Sequence, residues 1–458
     1  MSELSFEEKI NIWKDKMKAL FGEEVMESGT IEGKEPPYPA HLTIDERTIR
    51  HTAQWLGDDN PLYTDPSYAE KTKYGCFIAP PVILMGARYT TSHGPPEDEL
   101  HGLSVFSNMF AGTLFDWYDV IPVETRFWTS LRHRELLEKK GARGRLIISN
   151  TEGFYWNQRG DLLGKARGHE IFIPMQSRTA HDTSRHGEQM LYEREVYKYT
   201  DEETAKIKND LDSETKQGAE PLYWEDLNVG DSLPSIVMGP FHSQDQTGSR
   251  ASFSADPFHL SLWQSIYKMY KNTNQSYLHP ASLWPYTEGG RVEHEDPFLC
   301  RWRCIPAPFD YGAHRVCMGG RLMTDWIGDD GFLRRLYLDL RKFKYYGDTT
   351  WITGKIIEKY KVTEKGEAGK GGAQGEVEYA AVDVQLIGIN QVGEQTINSK
   401  ATAYLPSREL GPVELPIPHM ARPPGIYHDP TPEYVPFPKF KHQEQLVSLA
   451  GKFEDAKV

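Results

Sequence analysis

Residues 57–65, GDDNPLYTD, bring a carboxylate, an Asn-Pro turn and a phenol into one short loop. Asp58 has the side chain of a base that takes a proton from water or from a carbon acid. It is equally suited to accept hydrogen bonds from its own loop. Tyr63, with an ordinary pKa of about 10, is a poor base at neutral pH, although its hydroxyl can donate a proton or a hydrogen bond. Its plain alternative is to pack and cap the loop. Glycine, aspartate, asparagine, proline and leucine therefore lead to a tyrosine where proton-transfer chemistry would be better served by a histidine.

The elements that must hold this loop can be read around it. Thr43-Ile44-Asp45-Glu46 fits a capping box, Ile49, Ala53 and Leu56 line one face, and Gly57 stands where a helix C-terminal glycine belongs. Asp58 is then expected just past a helix end. PPVILMGARYTTSHGPP predicts a buried helix over 81–93, with Pro81 in its first turn. From 104 to 175 the pattern is that of strands, with a hairpin turn at NQRGD, and an amphipathic helix is expected at the N-terminus, to about Phe21. Residues 176–217 are polar and charged, which predicts an exposed, partly helical linker. A second unit follows, with a helix over 313–327 and strands over 333–362, 377–389 and 395–405. Gly319 and Gly320 lie inside that helix, where each would cost about 1 kcal/mol on an open surface, so a closely packed sheet is expected around them. EKGEAGKGGAQGE (364–376) reads as a hairpin tip, and the proline-rich 406–458 as an extended arm on the body or on a neighbour. The organisation is thus 1–175, a linker at 176–217, 218–405, and the arm. Capped helix, acidic loop, buried helix and long antiparallel strands occur twice, so an internal duplication is the economical reading.

Composition narrows the partners. A formal net charge of −14 argues against nucleic acid or an anionic membrane surface. The four cysteines, Cys76, Cys300, Cys304 and Cys317, make no CxxC pair and no metal-finger spacing, so buried free thiols are expected. No stretch approaches the roughly 20 apolar residues that span a bilayer, and a reducing, cytoplasmic setting is expected.

GDDNPLYTD…YA…YGCFIAPP resembles the N-terminal hot-dog domain of MaoC-like dehydratases of the fungal fatty-acid-synthase type. PLYWEDLNVGDSLPSIVMGPF, VEHEDP, PFDYGAHR and LMTDWIGDDGFLRRLYLDLRKFKYYGDTTWITGK resemble the C-terminal domain of two-domain acyl dehydratases. The resemblance spans about 35–175 and 218–405. It implies an α+β double hot dog, two antiparallel sheets each wrapped around a central helix and joined as one pseudo-dimer. It also implies hydration of a 2-enoyl-CoA thioester, or the reverse dehydration, by an Asp and a His.

Carried over residue by residue, Gly57, Asp58, Asn60, Pro61 and Leu62 match, and Tyr63 departs. In the second half, His294-Glu295-Asp296 aligns with Tyr63-Thr64-Asp65, which puts His294 at the family's histidine position. Gly289, not an aspartate, stands five residues before it; Asp256 lies about as far past GPF as Asp58 past PAHL, and an insertion at 257–290 then intervenes. Gly312 occupies the place of the glycine whose N–H faces the thioester oxygen. In the first half Pro81 does, and proline has no N–H to give. Asp310, Tyr311 and Arg315 follow as polar wall residues, or as an ion pair fixing the helix start. Arg321 and Arg341 suit CoA phosphates or salt bridges. CRWRC (300–304) is either a thiolate–arginine pair or a strand edge near the pocket.

The resemblance therefore points to a first half that is mainly scaffold and a second half that carries the chemistry. No cofactor or metal is expected beyond the coenzyme A of the substrate. The aromatic insertion, with Trp263, Tyr267, Tyr270, Tyr277 and Trp284, suits a lid over a bulky or aromatic acyl group, or an ordinary aromatic core. Thioesterase-like or retro-aldol chemistry, and a non-catalytic subunit completing a partner's site, remain as alternatives. A homodimer is expected.

Overall fold

The computed structural model describes residues 4–19, 24–26, 42–87, 106–141, 144–174, 197–252, 276–278, 285–287, 292–302, 306–366 and 373–419. Helix Phe6–Ala19 opens it and sets Ile10, Trp13 and Met17 on one buried face. Two short strands, β1 (Glu24–Met26) and β2 (Leu42–Thr43), precede helix Glu46–Leu56. The cap of that helix is Asp45, not Thr43: its carboxylate accepts from Thr48 N at 2.7 Å. Thr43 is unavailable because it pairs with Arg126 in the sheet. Gly57 ends the helix in the left-handed conformation, φ 62°, as its position predicts.

Strand β3 (Ile78–Ala79) leads to a 3₁₀ turn, Pro81–Ile83, and a helical turn, Leu84–Ala87. The remainder of the expected 81–93 helix lies outside the described residues. Then come β4 (Phe106–Trp117), β5 (Ile121–Pro122), β6 (Arg126–Gly141), β7 (Gly144–Trp156) and β8 (Leu162–Pro174), with the predicted turn between β7 and β8. Helix Phe6–Ala19 packs on Ile147 of β7 and Phe172 of β8.

The described part of the linker holds helix Asp201–Asp212, opened by a Thr200/Glu203 capping box. Its end is not an exposed tether, because Gln217 N donates to Asp325 O at 2.8 Å and Glu214 pairs with the buried Arg321. The second unit supplies β9 (Ile236–Met238), helix Ser243–Ser252, the small pair β10 (Ser276–Leu278) and β11 (Pro285–Thr287), and helices Val292–Glu295 and Pro297–Trp302. The long helix Gly312–Ile327 follows, then β12 (Phe332–Leu340), β13 (Thr350–Gly366), β14 (Gly375–Asn390) and β15 (Gln395–Leu405). Residues 300–302 are helical rather than a strand edge, held by Cys300 N donating to Asp296 O at 3.0 Å.

One eleven-stranded antiparallel sheet runs β1-β6-β7-β8-β4-β12-β15-β14-β13-β9, with β2 on β6. The halves meet where β4 pairs with β12, from Arg335 opposite Asp116 to Asp339 opposite Gly112. The sheet wraps helix Gly312–Ile327, which is buried from Ala313 through Ile327. This is the expected α+β double hot dog. The two internal glycines have separate causes. A Cβ on Gly319 would stand 3.3 Å from Leu338 Cδ1 of the sheet, whereas one on Gly320 would meet Val82 Cγ1 of the first half at 2.1 Å. Sheet packing accounts for the first glycine, and contact between the halves for the second.

Candidate functional site

The acidic loops of the two halves are built alike. Tyr63 is third in the one-turn helix Pro61–Thr64, and His294 is third in Val292–Glu295. Each turn ends at an aspartate before a proline, and each aspartate caps the helix that follows: Asp65 Oδ1 accepts from Ser67 N at 2.9 Å and Asp296 Oδ1 from Phe298 N at 2.8 Å.

In the second half, His294 Nδ1 lies 2.7 Å from the Phe309 carbonyl oxygen. A carbonyl only accepts, so Nδ1 carries a proton, and in the neutral ring Nε2 holds the lone pair. The imidazole packs against Phe309 and Tyr311, ring centroids 4.4 Å and 4.3 Å away, and Tyr346 hydroxyl donates to the His294 carbonyl. Tyr311 is the N-cap of the long helix and makes no side-chain cap bond; its carbonyl accepts from His314 N at 2.9 Å, and the Gly312 and Ala313 N–H groups come before that bond. Gly312 opens that helix in a tight place. A Cβ there would fall 2.2 Å from Leu340 Cδ1 and 2.7 Å from Phe110 Cδ1. Asp310 and Arg315 form a buried pair at 2.8 Å, and Arg315 Nη1 also donates to the carbonyls of Lys342 and Thr396, so these two side chains fix the helix start. Asp256 and most of the 257–290 insertion lie outside the described residues.

In the first half, Asp58 Oδ1 accepts from Asn60 N at 2.9 Å, while its Oδ2 is buried with no hydrogen-bond partner among the described residues. Asn60 Oδ1 accepts from Leu62 N and caps the Tyr63 turn. Burial drives the Asp58 carboxyl above its usual range, against the pull of Arg321 and Lys216. Asp325, on the long helix, is raised to about 8 by burial and by Asp58. Tyr63 is pushed well above an ordinary phenol by burial and by the Asp58 charge, and its hydroxyl pairs with Thr324. It remains a donor at neutral pH. A cavity of about 40 Å³, lined among others by Tyr63, Pro81, Asp119 and Thr324, lies beside it. That is room for a few waters and not for an acyl chain.

His294 and Asp58 are therefore not neighbours. His294 packs on Tyr311, the N-cap of the long helix, whereas Asp58 and Tyr63 stand against Arg321, Thr324 and Asp325, about 15–21 Å beyond Tyr311 along that helix at 1.5 Å per residue. Arg321 is buried and paired with Glu214, and Arg341 pairs with Asp339 at 3.0 Å, so both sit in salt bridges. Asp325, Glu214 and Lys216 carry no mark that would assign them to the Asp58 loop. The only signal was Arg321 and Asp325 one helical turn apart in an apolar helix.

Residues 34–165 match the family model of a FAS1-like dehydratase domain region. No curated protein matches the sequence. A solved structure described as a MaoC-like dehydratase superposes with a TM-score of 0.53 at 12% identity, covering 84% of this chain and 98% of its own. A putative MaoC domain protein dehydratase from Chloroflexus aurantiacus gives 0.47 at 10%, covering 85% and 96%, and a MaoC-like dehydratase from Phytophthora capsici gives 0.45 at 12%, covering 86% and 98%. At these identities the likeness is one of fold. Residues 34–165 are thus similar to a FAS1-like dehydratase region, and the chain as a whole shares the fold of the MaoC-like dehydratase structure, a double hot dog.

Proposed function

We propose that the protein is an acyl-CoA hydratase or dehydratase acting on a 2-enoyl-CoA thioester, with its chemistry in the second half. One observation carries the reading: an imidazole of fixed tautomer, His294, stands beside the opening of a buried helix at Gly312. His294 Nε2 takes a proton from water as the oxygen adds to the β-carbon, and the electrons move onto the thioester oxygen. The Gly312 N–H, at the positive end of the helix, holds that enolate oxygen. A proton returned to Cα completes a 3-hydroxyacyl thioester; dehydration runs the same steps backwards. Of the two carboxylates the sequence offers for orienting the imidazole or the water, Asp256 and Asp58, we take Asp256 for its place in the second half of the sequence. Tyr311 lines the wall, and Asp310 with Arg315 keeps the helix start in place.

The aromatic insertion favours a bulky or aromatic acyl group in a catabolic route, and coenzyme A enters only as part of the substrate. The first half, with Tyr63 and Pro81 in place of base and donor, serves as scaffold. The test is incubation with straight-chain, branched and aryl 2-enoyl-CoAs and 3-hydroxyacyl-CoAs, read by mass spectrometry. A mass gain or loss of one water supports the reading. Free coenzyme A or a chain-shortened product would point instead to thioester hydrolysis or retro-aldol cleavage, and no turnover to a non-catalytic subunit.

A further inference from the structure

Behind the first turn of the long helix, three buried side chains each carry a polar atom without a hydrogen-bond partner among the described residues: Lys344 Nζ, His314 Nδ1 and Asp310 Oδ1. Their residues are 0%, 4% and 2% exposed. Lys344 Nζ lies 4.7 Å from the centre of the Phe241 ring, and the His314 ring lies 5.3 Å from the same ring. The backbone ties them together, because Asp310 N donates to Lys344 O at 2.9 Å. His314 is third in the helix that Gly312 opens.

A lysine buried this way weakens the fold, since an ammonium removed from water without hydrogen-bonded acceptors costs several kcal/mol. Such a group is retained more readily where its charge has work to do. We propose that Lys344 is a positioning residue of the hydratase site: its ammonium completes the positive field at the N-terminus of the helix and so strengthens the Gly312 N–H as donor to the enolate oxygen. This rests on the hydratase reading above.

The surrounding groups make Lys344 the variable charge. Asp310, Asp245 and Asp348 face it as carboxylates and Arg315 as a fixed cation, while burial outweighs them and lowers Lys344 to about 7. His314, held well below its ordinary value by burial, Lys344 and Arg315, stays neutral. When Lys344 loses its proton, the positive charge facing Asp310, Asp245 and Asp348 is reduced, and a nascent enolate meets a more negative surrounding.

The test compares Lys344→Met and Lys344→Arg with the wild type on whichever 2-enoyl-CoA of the panel it hydrates fastest. Folding is checked by circular dichroism melting. Lys344→Met is expected to lower kcat about tenfold near pH 6.5, to leave KM within about twofold, and to flatten the profile at higher pH. Lys344→Arg, a permanent cation, should keep kcat near pH 6.5 and hold it to about pH 9, where the wild type has declined. If arginine does not fit, the methionine profile alone decides. Wild-type kcat and a wild-type pH profile in Lys344→Met overturn the proposal while leaving the hydratase reading intact. A wild-type protein that hydrates no member of the panel removes both.

Discussion

Tyr63 and His294 occupy the same third position in matching one-turn helices, each followed by an aspartate that caps the next helix. Their surroundings differ in kind. Tyr63 is sealed against Asp58, Thr324 and Asp325, with burial holding its proton. His294 is half-buried and has its tautomer set by the Phe309 carbonyl. His294→Ala should therefore lower kcat of hydration by roughly 10²–10⁴ with little change in KM. Tyr63→Phe should cost far less, since it removes one hydroxyl paired with Thr324. Steady-state kinetics of both variants check this, and an inactive Tyr63→Phe beside an active His294→Ala would return the chemistry to the first half.

The seam between the halves makes a second prediction. A methyl group at Gly320 would sit 2.1 Å from Val82 Cγ1, and Val82 is itself buried. Gly320→Ala should destabilise the protein by about 1–3 kcal/mol through overpacking. Adding Val82→Ala opens the space, so the double variant should recover part of that loss, as contacting sites do not add. Urea midpoints of the three variants decide it.

These two sites differ in how far the sequence exposes them. Gly57, Asp58 and the helix before them are set by local rules, so their places could be read directly. The same holds for the long helix, the strands after it and the NQRGD turn. What could not be read depends on residues distant in the chain. Thr43 looked like a cap, but the sheet claims its backbone and Asp45 caps instead. Asp58 finds Arg321 and Asp325 only because the halves pack together, and Glu214 enters from a segment whose polarity suggested a loose tether. Lys344 sits in RKFKYYGD among charges that gave no sign of its burial.

The start of the C-terminal arm lies on its own chain. Ile417 is fully buried and Val413 nearly so, Ile417 N donates to Tyr118 O at 2.7 Å, and the His419 ring packs tilted against Tyr118, centroids 4.5 Å apart. Glu414 O accepts from the Tyr379 hydroxyl, so the arm bridges the two halves. Ending the chain at Pro406 should cost up to about 3–5 kcal/mol from the two aliphatic side chains, and less if the unfolded chain already shelters them. Light scattering of full-length and shortened protein tests the remaining expectation. A dimer that persists without the arm would show that the arm acts within the chain and not between copies.

Asp325 sets a pH window for stability. Its native carboxyl titrates at about 8, raised by burial and Asp58, whereas an unfolded aspartate titrates near 3.9. The native state thus binds the proton more tightly than the unfolded state. Stability is then lost as pH rises from about 4 through about 8, by at most about 1.4 kcal/mol per pH unit for this group. Arg321 Nε, 3.4 Å away, offsets only part of the cost of burial. Asp325→Asn keeps the shape and removes the titration. Its unfolding free energy, measured by urea titration, should match that of the wild type near pH 4 and exceed it by about 1–3 kcal/mol near pH 8. An Asn variant less stable than the wild type near pH 8 would mean that the Arg321 pairing outweighs the burial of two carboxylates.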